Sequence, residues 1–167
     1  KDVFYIVADA NEIHKYIGLQ TRNSQEEIEL NDDGVILTEK LANILEIKVG
    51  EKIKIIVADG IESTVKVIGI TENYLYNYIY MTPNMYNQVF ETDIKYNLFF
   101  ANYDNINEDE ETTFANKLKE NTKISGTVYT RTLNNDYKKS LSGLSSIVFL
   151  FIGCASLLSF MVLVNLN

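Results

Sequence analysis

Cysteine and histidine are almost absent from this 167-residue chain, which has one of each. Cys154 lies in an apolar stretch near the end of the sequence, and His14 has no cysteine near it. A disulfide framework, a cysteine–histidine zinc site and a histidine-based catalytic triad all need more of these residues than the chain contains. The composition therefore excludes these kinds of site within the chain, and His14 is interpreted as a surface or packing residue.

Other catalytic signatures are missing as well. The sequence has no glycine-rich loop ending in Gly-Lys-Ser or Gly-Lys-Thr, so the chain does not hydrolyse ATP by that route. The acidic run 104–109 carries Ile106 at its third position and lacks the turn glycine of an EF-hand calcium loop. Asp32 and Asp33 remain a candidate acid–base pair, although acidic chains contain such pairs by chance. We therefore predict that the protein is not an enzyme and uses no cofactor.

Positive charge is scarce in this chain. There are 23 Asp and Glu residues against 15 Lys and Arg residues, which gives a net charge of -8. A chain of this charge is repelled by nucleic acid and by anionic lipid head groups at distances up to the Debye length. We therefore expect no nucleic acid among the partners.

Charge of either sign disappears altogether from Ser140 to Asn167. The centre of this stretch, 147–164, is almost wholly apolar, and as a helix it extends over roughly 27 Å, close to the hydrocarbon thickness of a bilayer. Because its apolar residues surround the helix completely, it needs either lipid or complete burial. We predict a transmembrane helix in contact with membrane lipid, with a buried core helix as the alternative. The start at Lys1 and the end at Asn167 suggest a fragment of a longer protein.

The preceding residues alternate between patterns typical of strands and of helices. We predict an α+β domain over residues 1–132, followed by a stalk helix over 133–146 and the transmembrane helix over 147–167. Strands are predicted at 3–7, 95–101 and 125–131, and a hairpin is predicted at 52–69 with its turn at Asp59-Gly60. A helix capped by Thr38 is predicted, with Leu41, Ala42, Ile44 and Leu45 facing inward. Further helices are predicted after Thr82-Pro83 and after Asn107, which precedes an acidic first turn.

Four tyrosines recur at every second position, namely Tyr74, Tyr76, Tyr78 and Tyr80. This period places all four rings on one face of a strand. Tyrosine provides a large, rigid contact area with a polar tip, so this face is a candidate partner contact. The alternative is an ordinary half-buried strand, since tyrosine is also a good strand former.

Two further patterns lie in the C-terminal helix. Leu133, Tyr137, Leu141, Leu144 and Val148 form one apolar stripe that leads from the domain into the membrane, and Gly143 is its weak point. A continuous helix of this kind could transmit force. Small residues at Gly153, Ala155, Ser156 and Ser159 permit a neighbouring helix to approach closely, which makes them candidate positions for helix packing.

Several segments together resemble the extracellular domain of FtsX-like (MacB-like) ABC transporter permeases. They are Gly34-Val-Ile-Leu-Thr-Glu-Lys-Leu-Ala42 with Leu45, Val49-Gly-Glu-Lys-Ile53, Lys66-Val-Ile-Gly-Ile70, Asn77-Tyr-Ile-Tyr-Met-Thr-Pro83 and Leu163-Val-Asn-Leu-Asn167. The order of these motifs, followed by a membrane span, is similar to the larger, Gram-positive-type members. The matching positions look structural, so the resemblance assigns no binding residues.

The resemblance implies a non-enzymatic permease subunit whose partners are a cytoplasmic ABC ATPase and, as a further candidate, a second permease copy. It implies a cell-membrane location with residues 1 to about 140 extracellular. By contrast, Arg131, Lys138 and Lys139 lie close to the span, where the positive-inside rule favours the cytoplasm. The alternative function is a single-pass, membrane-anchored sensor or ligand-binding module that uses the tyrosine face.

Overall fold

The computed structural model describes residues 3–56, 62–73, 76–103 and 107–166. The chain has the predicted α+β composition and divides into two compact units, Lys1–Tyr103 and Asp104–Asn167. The first unit contains every described strand, and it ends earlier than the domain boundary predicted at residue 132.

The first unit is built on a five-stranded mixed sheet. Its elements in chain order are β1 (Phe4–Val7), α1 (Ala10–Ile13), β2 (Val35–Thr38), α2 (Glu39–Leu45), β3 (Lys52–Ile56), β4 (Glu62–Thr71), β5 (Tyr78–Met81) and α3 (Pro83–Phe90). The strand order is β1-β5-β2-β4-β3. The pairs β1–β5 and β2–β4 are parallel, whereas β2–β5 and β3–β4 are antiparallel. Among the described strands, β1 and β3 therefore form the two edges.

Both faces of the sheet are buried at its centre, as the side chains of β2 show. Val35 and Leu37 enter one core, together with residues of α2 and α3, whereas Ile36 enters a second core with residues of α1 and of the 14–34 segment. All four residues of β2 are completely buried. This is the pattern expected of a central strand with a covered surface on each side.

The predicted hairpin is confirmed as β3 and β4. Its register runs from Lys52 opposite Lys66 to Ile56 opposite Glu62, and Ile53 is buried as the alternation predicts. The predicted turn at Asp59-Gly60 lies outside the described residues. Beside this hairpin, Gly34 allows β2 to approach β4 closely, because an added Cβ would lie 2.2 Å from the Lys66 carbonyl oxygen.

The helix predicted after Thr38 is confirmed as α2, but two of its details are wrong. Ile44 and Leu45 are 38% and 49% exposed, not inward-facing. The reason is that Glu46 adopts a left-handed conformation, and the N–H of Ile47 then bonds back to the Ala42 carbonyl, which turns Ile47 onto the core instead. The Thr38 hydroxyl does not cap the helix, since it accepts the N–H of Tyr78 at 3.2 Å.

The strand predicted at 95–101 is wrong, because residues 92–103 have no regular secondary structure. This segment pairs with none of the described strands. Its apolar residues have high strand propensity, but a strand forms only where a neighbouring strand supplies hydrogen bonds. Phe99 is 87% exposed as a result.

The second unit consists of two helices, α4 (Glu108–Lys119) and α5 (Thr130–Asn165). The helix start predicted at Asn107 is confirmed with a full capping box: Asn107 accepts the Glu110 N–H, and the Glu110 carboxylate accepts the Asn107 N–H. The strand predicted at 125–131 is wrong, because the chain is irregular there until α5 begins. The predicted stalk and transmembrane segments are one uninterrupted helix of 36 residues.

Candidate functional site

The four candidate tyrosines do not share one exposed strand face. β5 begins only at Tyr78, and Tyr76 precedes it with a φ of 61°, a left-handed conformation that interrupts an extended strand. Tyr74 lies outside the described residues. Tyr78 and Tyr80 do point to the same face, opposite Ile79 and Met81, so the alternation is present but shorter than predicted.

Tyr80 is buried rather than available for contact. It is 2% exposed and packs in the core that contains Ile13, Leu19, Leu30 and Ile36. Burial raises the pKa of its phenol, partly offset by a hydrogen bond from the Asn73 amide at 3.4 Å. Tyr80 is therefore a core residue of this unit, whereas Tyr76 is 61% exposed and Tyr78 is half-buried.

The exposed aromatic surface lies along the edge strand β1 instead. On one face of the sheet, the Phe4 ring contacts those of Tyr76 and Tyr78 at centroid distances of 5.8 and 5.9 Å. On the other face, the Tyr5 ring lies 5.8 Å from Tyr86 and 5.1 Å from Phe90. We call this surface the aromatic edge; its members are Phe4, Tyr5, Tyr76, Tyr78, Tyr86 and Phe90. Because edge strands offer unpaired backbone groups, rings on both sides of β1 form a surface suited to protein or ligand contact.

The sequence points to only part of the aromatic edge. The tyrosine repeat identifies Tyr76 and Tyr78, but nothing near Phe4 and Tyr5 in the sequence shows that their strand lies beside β5. The parallel pairing of Phe4 with Tyr78 brings the two segments together. That pairing joins residues far apart along the chain, and no local periodicity in the sequence predicts it.

The Asp32-Asp33 pair has a structural role at Asp32. The Thr82 hydroxyl donates to one Asp32 carboxylate oxygen at 2.5 Å, and the Asn84 amide donates to the other at 2.8 Å. These hydrogen bonds hold the pKa of Asp32 below its ordinary value. Thr82 in turn accepts the Met85 N–H at the start of α3, so Asp32 fixes the N-terminus of that helix to the loop before β2. A carboxylate engaged in this way is poorly suited to accept a substrate proton.

The remaining polar groups that the structure describes do not form a metal centre. Within the described ranges, no three His, Cys, Asp or Glu side chains come together in a way that would hold a metal ion. The imidazole Nδ1 of His14 lies 2.8 Å from a Glu27 carboxylate oxygen, in agreement with its interpretation as a surface or packing residue.

An ion pair with a buried carboxylate joins α4 to the start of α5. The Glu111 side chain is only 4% exposed, and one of its carboxylate oxygens lies 3.2 Å from Nη1 of Arg131. The Tyr129 hydroxyl donates to the Glu111 carbonyl oxygen at 3.1 Å. This contact is not predicted from the sequence, where Glu111 is one of four acidic residues in the first turn of a helix. The Arg131 side chain is 42% exposed, so only the Glu111 side of the pair is buried; together with the Tyr129 hydroxyl, the pair links α4 to the first turn of α5.

The helix α5 is long and apolar enough to cross a membrane. None of its residues is buried, which argues against the alternative of a core helix in the described part of the chain. Of the candidate packing residues, Ala155, Ser156 and Ser159 line one shallow groove together with Ile152, Phe160 and Leu163, whereas Gly153 does not. The Ser156 hydroxyl is bonded to the Ile152 carbonyl oxygen of its own helix at 2.8 Å.

Comparison with known proteins returns no match: no protein-family model, no curated protein and no solved structure is similar to this chain. Function is therefore inferred from the residues and geometry described above.

Proposed function

We propose that the chain is the extracellular domain and following transmembrane helix of an ABC transporter permease subunit of the FtsX-like (MacB-like) type. In this role it would couple ATP hydrolysis by a cytoplasmic ATPase to export, extraction or signalling at the cell surface. The observation that carries the proposal is the continuity of α5. One helix begins at the Glu111–Arg131 ion pair with α4 and continues without a break through the apolar run.

The length of α5 suits a mechanical role. At 1.5 Å per residue, 36 residues extend over roughly 54 Å, whereas a bilayer core needs only about 30 Å. The excess carries the charged residues, since the last charge is at Lys139. A rigid helix that extends past the bilayer on one side can transmit movement of the membrane segment to what its outer end contacts, which here is α4 through Glu111 and Arg131.

The motif resemblance gains support from the position of its segments. The stretch that begins at Gly34 forms β2, and the stretch from Lys66 to Ile70 lies in β4. These two strands are neighbours in the sheet, with Val35 opposite Val67 and Leu37 opposite Ile70. The motifs therefore belong to one structural core, as expected if they are the framework of a domain rather than chance matches.

Copurification of an ATPase tests the proposal directly. We would express the full-length protein with its genomic neighbours and isolate it through an affinity tag in mild detergent. The expected result is a stoichiometric nucleotide-binding ATPase, retained equally by Gly143→Pro and Gly143→Ala variants, with transport lost only in the proline variant. A preparation that contains a single chain would contradict the proposal.

The extracellular orientation has its own test. We would introduce a cysteine at Asn134, which is exposed on the charged part of α5, in a Cys154→Ser background. Labelling of intact cells by a membrane-impermeant maleimide is the expected outcome. Labelling only after permeabilisation would place this end of the helix in the cytoplasm, as the nearby Arg131, Lys138 and Lys139 favour.

The second candidate is a single-pass, membrane-anchored sensor or ligand-binding module. The observation that favours it is the aromatic edge, where Phe4, Tyr5 and Tyr76 are each more than half exposed. Large exposed aromatic surfaces often mark binding sites. A kinase or other signalling domain after Asn167 in the full-length sequence, together with the absence of a copurifying ATPase, would favour this candidate.

A further inference from the structure

Residues 94–103 (Ile-Lys-Tyr-Asn-Leu-Phe-Phe-Ala-Asn-Tyr) form an exposed apolar segment without regular structure. Tyr96, Leu98 and Phe99 are 71%, 62% and 87% exposed. Soluble domains seldom leave this much contiguous apolar surface in water, so such a patch usually marks a contact. We propose that this apolar segment inserts its tip into the interfacial layer of the bilayer that α5 spans.

The segment is held at one end and free at its tip. The Phe100 ring stacks on Tyr16 with centroids 5.9 Å apart, and the Asn102 amide donates to the Lys15 carbonyl oxygen at 3.5 Å. These two contacts fix the C-terminal half of the segment to the first unit. Leu98 and Phe99 directly precede these anchored residues and are 62% and 87% exposed, so both apolar side chains are open to solvent.

The low charge of the segment favours a lipid surface as its partner over a basic protein. Between Asp93 and Asp104 the only charged residue is Lys95, although acidic residues outnumber basic ones by 23 to 15 in the whole chain. The segment is thus a neutral to slightly positive patch on an acidic protein. Tyrosine is enriched at membrane interfaces, and lysine is suited to them as well, because the ring or aliphatic stem enters the head-group layer while the polar tip stays hydrated.

The irregular backbone of the segment limits how deeply the segment can insert into the bilayer. An unpaired N–H or carbonyl group in the hydrocarbon core costs several kcal/mol, so an extended segment cannot enter the core. It can lie among the head groups, where water still satisfies the backbone. The proposal therefore limits insertion to side chains at the tip, chiefly Leu98 and Phe99.

α5 tethers the chain to the bilayer, so the length of chain between this segment and α5 decides whether the segment can reach the membrane. The charged start of α5, Thr130–Lys139, extends only about 15 Å beyond the uncharged run. The chain between Tyr103 and Thr130 includes α4 and irregular stretches that can extend by about 3.3 Å per residue, so its length permits the contact. Tethering also raises the effective concentration of lipid around the segment, which favours even a weak insertion.

Tryptophan fluorescence tests the proposal, because the chain contains no tryptophan. We would prepare three single-tryptophan variants of the full chain: Phe99→Trp at the tip, Ile56→Trp as a control on the β3 edge, and Phe151→Trp in the apolar part of α5. Each replaced residue is more than half exposed, so none of the substitutions disturbs a core. The variants are reconstituted into phosphatidylcholine vesicles with and without brominated acyl chains.

The expected result is a blue-shifted emission for Phe99→Trp and loss of most of its intensity in brominated vesicles, with no change for Ile56→Trp. Emission of Phe99→Trp that matches Ile56→Trp would overturn the proposal. Shielding from acrylamide without quenching by brominated lipid would also overturn it, because a protein would then cover the segment. Phe151→Trp is quenched if α5 crosses the bilayer, so a failure of the membrane span is distinguished from a failure of this insertion, which is independent of the permease assignment.

Discussion

Gly143 lies in the middle of α5, just after the last charged residue of the chain, and a proline there should break the continuity of the helix. Proline removes the N–H that would bond to the carbonyl of residue 139, and its ring clashes with that carbonyl, at a cost of about 3 kcal/mol. Gly143→Ala is the matched control. Its Cβ would meet no atom within 4 Å, and alanine favours the helix by up to about 1 kcal/mol over glycine.

The distance between two spin labels measures this effect. The native Cys154 provides one position, and Asn134→Cys provides the other, on the charged side of residue 143. In an unbroken helix their Cα atoms lie about 30 Å apart. A simple kink of about 30° shortens this distance by only about 1 Å, so the informative quantity is the width of the distance distribution. We expect a narrow distribution for the wild type and for Gly143→Ala, and a broad one for Gly143→Pro.

Two outcomes in nanodiscs would refute the reasoning. A broad distribution in the wild type would mean that α5 is not one rigid helix. A narrow distribution in Gly143→Pro, equal to that of the alanine variant, would mean that the neighbourhood of residue 143 holds the helix straight. In either case the transport loss expected for Gly143→Pro would lose its physical basis.

Two further predictions concern the first unit. Asp32→Ala should lower the melting temperature of the protein in detergent more than the neighbouring Asp33→Ala, because only Asp32 binds the start of α3. The folded-state pKa of Asp32 is lowered from 3.8, so the stability that the Asp32 carboxylate gives the folded protein is fully present above that value and is lost as the pH falls through the lowered pKa. The difference in melting temperature between wild type and Asp32→Ala should therefore shrink in acid. A constant difference would contradict the assignment. Gly34→Ala should destabilise the protein by about 3 kcal/mol in denaturant unfolding, because the added Cβ would collide with the backbone of β4. Gly18→Ala should be close to neutral, because its Cβ would have nothing within 4 Å. Equal unfolding midpoints for the two variants would refute the close approach of β2 to β4.

Local signals in the sequence predict local structure well in this protein. The pairs Thr82-Pro83 and Asn107 with Glu110 each contain the complete chemistry of a helix start within four residues, and both helices begin where predicted. The β3–β4 hairpin is likewise encoded by alternation on two neighbouring strands. The C-terminal helix can be predicted from composition alone, because an uncharged run with an apolar surface on all sides is typical of few structures other than a membrane-spanning helix.

Non-local structure is where the prediction fails. The stretch 95–101 has the propensity of a strand but no partner among the described strands, and propensity alone does not supply one. Glu111 looks like an ordinary first-turn acid until Arg131, 20 positions away, lies beside it. Neither outcome is visible in a window of ten or fifteen residues.

The tyrosine repeat shows how local sequence signals and non-local packing together determine the candidate site. A period of two correctly places Tyr78 and Tyr80 on the same face of β5, but it cannot show whether another part of the chain covers that face. Tyr80 is covered by Ile13 of α1 and by Leu19 and Leu30 of the 14–34 segment, and nothing in the local sequence of these residues shows that they pack on β5. Tyr78 lies nearer the edge, where Phe4 contacts it but leaves it half-buried. The surface available to a partner is therefore determined by which strand lies at the edge of the sheet, and this depends on pairing between β1 and β5 across some seventy residues of chain.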